Sequence, residues 1–267
     1  MTSAPDEGAL LPDAALDRLG RIRLTDHDMR SLLGEIASLA RQSLPGRLEA
    51  SVTLLTGDEA VTAVYTGDLA LDLDETQYER GHGPCLHAAA AGEPVEIEDA
   101  RSDSRWRDVL DVAVERGCLG SLSLPLPLHE RVSGALNIYA ARPRAFDEPT
   151  RRFARRFASY GAVVAGNMLV YESALDRAKN LEAALVSRAV IDQAKGILME
   201  RFKLTPDQAF QALTRVSMET NTKVRDIAAE FVDTVDLPGG GLRCVRTRPR
   251  PRARVVPART PGPGCPA

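Results

Sequence analysis

The sequence predicts an α+β domain, a central antiparallel sheet flanked by helices, that leads through a long helix into an all-α module of three helices. Three observations predict it. Short stretches of alternating residues, rich in β-branched side chains, recur between Ser51 and Tyr139, with helical patterns before and among them. From Asp147 onward the apolar period changes from two to about 3.6 and stays there. Thr205-Pro206-Asp207-Gln208 then writes a complete helix start inside this helical region: a capping hydroxyl, proline at the first helical position, an aspartate at the positive helix end and a glutamine that closes a capping box.

In chain order, residues 1–24 read as a flexible leader. The first packed helix is expected from a capping-box-like start at Thr25-Asp26-His27-Asp28, with Met29, Leu32, Leu33, Ile36, Leu39 and Ala40 on one face. Ser51–Thr56 and Ala60–Tyr65, joined by Gly57-Asp58-Glu59, form a hairpin pattern. The run Asp68–Glu79, with Leu69, Leu71 and Leu73 at alternate positions, reads as an edge strand and loop. Further strands fit Pro94–Glu98, Gly120–Leu126 and Val132–Tyr139, with a helix around Trp106–Arg116. The α+β domain is thereby bounded at 25–170.

Phe153, Phe157, Tyr160, Val164, Met168, Tyr171, Leu175, Ala178, Leu181 and Leu185 recur at three- and four-residue spacings, which predicts one helix of roughly 30 residues with a connecting part over 151–183. Two readings stay open for it: the last helix of the domain, or a helix whose second half leaves the domain as a parallel coiled coil in a homodimer. Residues 184–236 read as three short helices, with inward residues Val186, Val190, Ala194, Ile197 and Leu198, then Ala209, Phe210, Leu213, Val216 and Ser217, then Val224, Ile227, Ala228, Phe231 and Val232. Residues 237–267 hold seven arginines, seven prolines and no acidic residue, a composition that predicts a disordered basic tail.

Composition excludes several classes. The longest weakly polar run, Gly161–Gly166, stops at Asn167, far short of a membrane span, and Met1–Glu7 lacks the basic start of a secretion signal, so a cytoplasmic protein without membrane contact is expected. Cysteines at 85, 118, 244 and 265 form no CxxC pair, which argues against a disulfide framework and a zinc module. Neither GxxxxGK[ST] nor GxGxxG occurs, so a kinase or dehydrogenase is disfavoured and no cofactor or metal is expected. The net charge of −3 divides into about −10 over residues 1–236 and +7 over the tail.

Two clusters could sense a signal. Gly81-His82-Gly83-Pro84-Cys85-Leu86-His87 reads as a turn entering a helix near Cys85, where a helix N-terminus lowers a thiol's pKa. A buried structural thiol, a redox or ligand-contacting thiol and a metal site with His82 all remain open there. Arg101, Arg105 and Arg107 surround Trp106, the single tryptophan, either closing a ligand pocket or flanking a loop pinned by its indole. In the C-terminal module seven basic residues face nine acidic ones over 181–236, so it lacks a bulk basic signature. A few cations on one face suffice if a dimer doubles the surface and the target is a shaped RNA loop.

Arg188-Ala-Val-Ile-Asp-Gln-Ala-Lys-Gly-Ile-Leu-Met199, Thr205-Pro-Asp-Gln-Ala-Phe-Gln-Ala-Leu213, Arg215-Val-Ser-Met218 and Asn221-Thr-Lys-Val-Arg-Asp-Ile-Ala228 closely resemble the ANTAR domain, in order and spacing. The resemblance implies a three-helix RNA-binding module of transcription antitermination that recognises paired stem-loops as a dimer. It carries an RNA role to Arg188, Gln193, Lys195, Gly196, Arg215, Asn221, Lys223 and Arg225, and a packing role to Ala194, Ala209, Phe210, Leu213 and Ala228. Upstream, Gln77–Leu86, Asp103-Ser-Arg-Trp106, Gly120–Leu126 and Gly134-Ala-Leu-Asn-Ile-Tyr139 resemble a GAF domain, which implies a small-molecule sensor. The expectation is a non-enzymatic regulator of transcription termination, gated by ligand or redox state through Cys85, His82, Arg105 and Trp106. The alternatives are a cysteine-dependent GAF reductase pairing Cys85 with Cys118, and a DNA-binding helix-turn-helix-like regulator.

Overall fold

The computed structural model describes residues 10–234 apart from 58, 130 and 131. The expected tail over 237–267, with Cys244 and Cys265, lies outside the described residues, as do the first nine residues of the expected leader. The chain divides into two compact units, Met1–Ala178 and Lys179–Ala267.

The first unit is built on five antiparallel strands, β1 (Leu48–Thr56), β2 (Glu59–Tyr65), β3 (Val95–Ile97), β4 (Gly120–His129) and β5 (Val132–Ala140), in the order β2-β1-β5-β4-β3. The predicted hairpin is present, with Thr56 opposite Glu59. Strand alternation sorts the sheet into two unlike faces. Ala50, Val52, Leu122, Leu124, Leu126, Leu136 and Ile138 turn to one side, into a large aliphatic core with α1 (Pro12–Gly20), α2 (Met29–Ser43) and the start of α6 (Glu148–Phe202). The other side carries Ser51, Thr53, Ser121, Ser123, Asn137 and Tyr139, all buried. It is covered by α3 (Asp68–Arg80), α4 (Pro84–Ala91) and α5 (Arg107–Glu115).

Three expectations for this unit are corrected. Residues 12–20 of the expected leader form α1, because Ala15 and Leu19 on its inner face are buried against α2. The α2 box is made by Asp28 with Ser31, whose backbone N–H donates to the Asp28 carboxylate at 2.8 Å. Asp68–Glu79 is helix rather than edge strand: the buried set is Ala70, Leu73, Asp74 and Gln77, a helical spacing that the alternating leucines disguise. Its start is capped from a distance, since Ala70 N donates to Glu49 Oε2 of β1 at 2.9 Å.

Helix α6 runs 55 residues and not roughly 30, so the first of the three expected C-terminal helices is its last part. The predicted stripe along α6 merges two faces. Phe157 and Met168 are buried in the sheet core, whereas Tyr160 is 53% exposed. Gly166 permits the close approach: a Cβ there would meet the Leu128 carbonyl oxygen at 2.9 Å.

In the second unit, the end of α6 packs with α7 (Pro206–Thr220) and α8 (Val224–Thr234) around Ala194, Leu198, Ala209, Ala212, Leu213, Ile227, Ala228 and Phe231. The capping box at Thr205 is formed, with Thr205 N donating to Gln208 Oε1 at 2.9 Å. Phe210, expected inside, is 46% exposed, and Ala212 takes the inward place one turn after Ala209.

Candidate functional site

The polar face of the sheet is the most chemically organised place in the first unit. Asp74, fully buried on α3, accepts hydrogen bonds from Tyr139 OH at 2.5 Å, Thr62 Oγ1 at 3.0 Å and Asn137 Nδ2 at 3.3 Å. Tyr78 OH lies 2.9 Å from both Thr53 Oγ1 and Thr62 Oγ1. Burial pushes the Asp74 carboxyl up to about 6 despite these donors, and burial beside Asp74 pushes the Tyr78 and Tyr139 hydroxyls up as well. Two buried atoms on neighbouring strands, Ser123 Oγ and Asn137 Oδ1, lack a partner among the described residues. A cavity of about 10 Å³, room for a single water, opens nearby between Tyr139, Gln77 and the apolar side chains of α3 and α5.

The Gly81–Cys85 segment forms this site's wall. Gly81 ends α3 in the left-handed region at φ 70°, and Cys85 N donates to Gln77 Oε1 at 2.8 Å as α4 begins. Gly83, at φ 154°, passes so close that a Cβ would sit 2.3 Å from Gln77 Oε1. Gly83→Ala is therefore expected to lower stability by about 2 kcal/mol, from strain and the displaced glutamine; an unchanged thermal midpoint contradicts this role.

The predicted sensing residues fall in different places. Cys85 is completely buried at the start of α4, and the expected lowering of its pKa is overturned: burial and the neighbouring Asp74 carboxylate drive the thiol well up, outweighing the helix end. Cys118 is also buried, pushed up to about 11 by desolvation, with Sγ 3.4 Å from the Gly120 carbonyl. His82 is exposed, its Nε2 3.3 Å from Asp108. Arg105 and Trp106 do come together. The guanidinium lies 5.5 Å from the indole centre, pairs with Asp103 at 2.6 Å and donates to the Glu96 carbonyl at 2.7 Å, while the His87 ring packs 5.6 Å from the indole. Trp106 stands in the left-handed region at φ 46°. Sequence reasoning missed Asp74, Tyr78, Asn137 and Ser123. The available signal was the serine, threonine and asparagine at alternate strand positions opposite leucines.

In the second unit, Ala194 and Leu198 face the core, and Gly196 lies on the opposite side of α6 with open space where a Cβ would be. Arg188 and Lys195 share Asp192, at 3.8 and 3.2 Å. Gln193 is exposed. Arg225 pairs with Asp226 at 3.2 Å and lines a groove with Val186, Ser187 and Val190 of α6. Asn221 ends α7 in the left-handed region at φ 51°, a conformation its amide tolerates, so it has a structural task of its own. Arg215 and Lys223 are exposed cations with no side-chain partner among the described residues.

A family model described as the GAF domain matches residues 26–164, more than half of the chain, and a model of the ANTAR domain matches residues 179–232. The chain belongs to the GAF family. It carries an ANTAR domain behind the GAF domain, in a region expected from the sequence at 184–236. A search of curated proteins finds no match. Among solved structures, the chain is similar to the free methionine-R-sulfoxide reductase of Neisseria meningitidis, with 20% identity, 63% of this chain and 97% of that one covered, and a TM-score of 0.47. It is also similar to the reduced form of fRMsr of Staphylococcus aureus, at 17% identity, 62% and 99% coverage and a TM-score of 0.46. A third is the GAF domain of a phosphoenolpyruvate-protein phosphotransferase from Coxiella burnetii, at 17% identity, 61% and 94% coverage and a TM-score of 0.46. Likeness of this degree assigns no activity.

The ANTAR domain makes the chain an RNA-binding antitermination regulator, and the GAF domain is its sensor. No helix among the described residues is long and apolar enough to cross a membrane.

Proposed function

We propose that the chain acts as a cytoplasmic homodimer that binds paired stem-loops in leader transcripts and controls transcription termination against antitermination, gated by a ligand or redox signal at the GAF domain. The observation that carries the RNA part is the charge arrangement of the ANTAR domain. Its net charge is negative, yet Arg215 and Lys223 stand unneutralised while Arg188, Lys195, Lys203 and Arg225 each face a carboxylate. Unpaired cations, and on α6 a helix surface left bare at Gly196, each suit phosphates approaching closely. Arg188, Gln193 and Lys195 of α6 and Asn221 at the end of α7 take the remaining RNA roles in this reading.

The gate needs a path from sensor to output helix. Glu96 of β3 supplies one: its carbonyl accepts from Arg105, beside Trp106, and its carboxylate takes Arg151 of α6 in a two-pronged pair at 2.7 and 3.0 Å. A ligand that binds one setting of this link better than the other shifts the population by that difference and no more.

The reductase alternative meets an obstacle in the buried, protonated thiols of Cys85 and Cys118, since the thiolate is the nucleophile. The deciding experiment compares binding of a tandem stem-loop RNA, a single hairpin and duplex DNA at matched salt. Preference for the tandem RNA by about tenfold or more supports the reading. Equal or tighter binding of DNA replaces it with the DNA-binding reading.

A further inference from the structure

We infer that Phe210 of α7 is a stacking platform for an unpaired base of the RNA loop, with Gln211, Thr214 and Met218 completing a base-contacting face and Arg215 holding a phosphate beside it. This rests on the proposed RNA binding and names the part of the RNA that α7 meets.

Between residues 179 and 234 the chain has three aromatic residues, Phe202, Phe210 and Phe231. Phe231 is buried in the core of the ANTAR unit. Phe202 is exposed, yet the Arg201 guanidinium already lies 5.6 Å from its ring centre. Phe210 has neither kind of cover: it is 46% exposed, and among the described residues no aromatic ring or guanidinium packs on it.

Helical spacing sets what surrounds this ring. Thr214 and Met218 follow Phe210 at successive steps of four, and Gln211 and Arg215 form the adjacent row. Met218 is 74% exposed, and Gln211 and Arg215 are exposed as well, while Ala209, Ala212 and Leu213 turn the other side of α7 into the core. Between Asp207 and Glu219, Arg215 is the single charged residue, and its guanidinium has no carboxylate partner among the described residues. The face therefore holds a bare ring, a thioether and an amide, bordered by an unneutralised cation.

This chemistry fits a nucleotide. An aromatic ring stacks on the flat face of any unpaired base, a main device by which single-stranded RNA is held. The Gln211 amide both donates and accepts, as the edge of a base does. Arg215 offers a planar fork to the adjoining phosphate. Bases paired within a stem keep their faces stacked on one another, so the occupant is a base of the loop. A protein partner fits poorly: one ring and one thioether on about two turns of a single helix fall far short of the roughly 800 Å² that each side of a stable interface buries.

The test uses the full chain and a pool of tandem hairpins with constant stems and randomised loops, from which the RNA that binds the wild type is selected. Phe210→Leu keeps an apolar side chain without a π-face and is expected to bind that RNA about tenfold more weakly, whereas Phe210→Trp retains the affinity. Both variants should keep the wild-type slope of log affinity against log salt, because neither removes a charge. Abasic sites placed along the loop locate the stacked base: at one position the loss in the wild type should be about tenfold, with no further loss in Phe210→Leu. If Phe210→Leu does not fold, Met218→Ser replaces it, since a side chain so exposed does not support the core; about threefold weaker binding at an unchanged thermal midpoint is then expected. Equal affinity of the folded variant and the wild type, additive losses at every abasic position, or equal binding of a loopless duplex of the same stems overturns the inference. A Phe210→Leu chain that changes oligomeric state in sedimentation while keeping its loop preference also overturns it, reassigning the ring to a contact between subunits. A wild type that selects no RNA from the pool contradicts the RNA reading itself, and the stacking role with it.

Discussion

Replacing Asp74 by alanine is expected to destabilise the GAF domain by at least about 3 kcal/mol, because it strands several buried donors at once. Tyr139 OH, Thr62 Oγ1 and Asn137 Nδ2 all converge on this fully buried carboxylate. Asp74→Asn keeps the volume and one acceptor oxygen, and its signature is a changed pH dependence. The folded-state pKa of Asp74 is raised from 3.8 to about 6, so the folded protein holds the proton more tightly than the unfolded chain. That contribution is fully present below about pH 4 and is lost as the pH rises to about 6, on the order of 3 kcal/mol in all. The facing groups Tyr78, Tyr139 and Cys85 are pushed upward and stay protonated across this window. Denaturant melts from pH 4 to 7 should therefore show the wild type losing stability relative to Asp74→Asn. Parallel curves would mean that the carboxylate is ionised throughout.

The second large effect is expected from Arg215→Ala combined with Lys223→Ala. Both side chains are exposed and neither has an ion-pair partner among the described residues, so their removal leaves the ANTAR core untouched. If each meets a phosphate, RNA affinity should fall by about tenfold to a hundredfold, and the slope of log affinity against log salt should drop by about 1.5 to 2. The paired cation Arg225 is the control. Its charge is offset by Asp226, and Arg225→Ala should weaken binding much less. An unchanged salt slope in the double variant would remove both residues from the RNA surface, even if affinity fell for another reason.

Much of this architecture was legible in the sequence, for reasons specific to each element. The β1–β2 hairpin is written in alternation around a glycine turn, and the start of α7 in four residues whose side chains cap their own backbone. Helix α3 was not legible, because its entry is capped by Glu49 from another strand and its leucines mimic a strand period. The face of Phe210 was misjudged because its spacing serves two adjacent helix faces, and packing against α6 and α8 chose Ala212. At the site, Arg105 beside Trp106 followed from proximity in sequence. The polar cluster did not, since Asp74, Asn137 and Thr62 are joined only by sheet register and by α3 folding across it. The pKa of Cys85 turned on the same point: a helix end is visible in sequence, whereas the Asp74 carboxylate behind it is not.

The ANTAR domain is expected to bind structured leader RNA, and the decisive measurement is crosslinking in native cells followed by sequencing of the bound RNA. The wild type should enrich leader transcripts that carry two adjacent small hairpins, and a chain with Arg215→Ala, Lys223→Ala and Lys195→Ala together should lose that enrichment while remaining folded and at the same cellular level. Recovery of the same RNA by both chains, or of no RNA above background by the wild type, would contradict it.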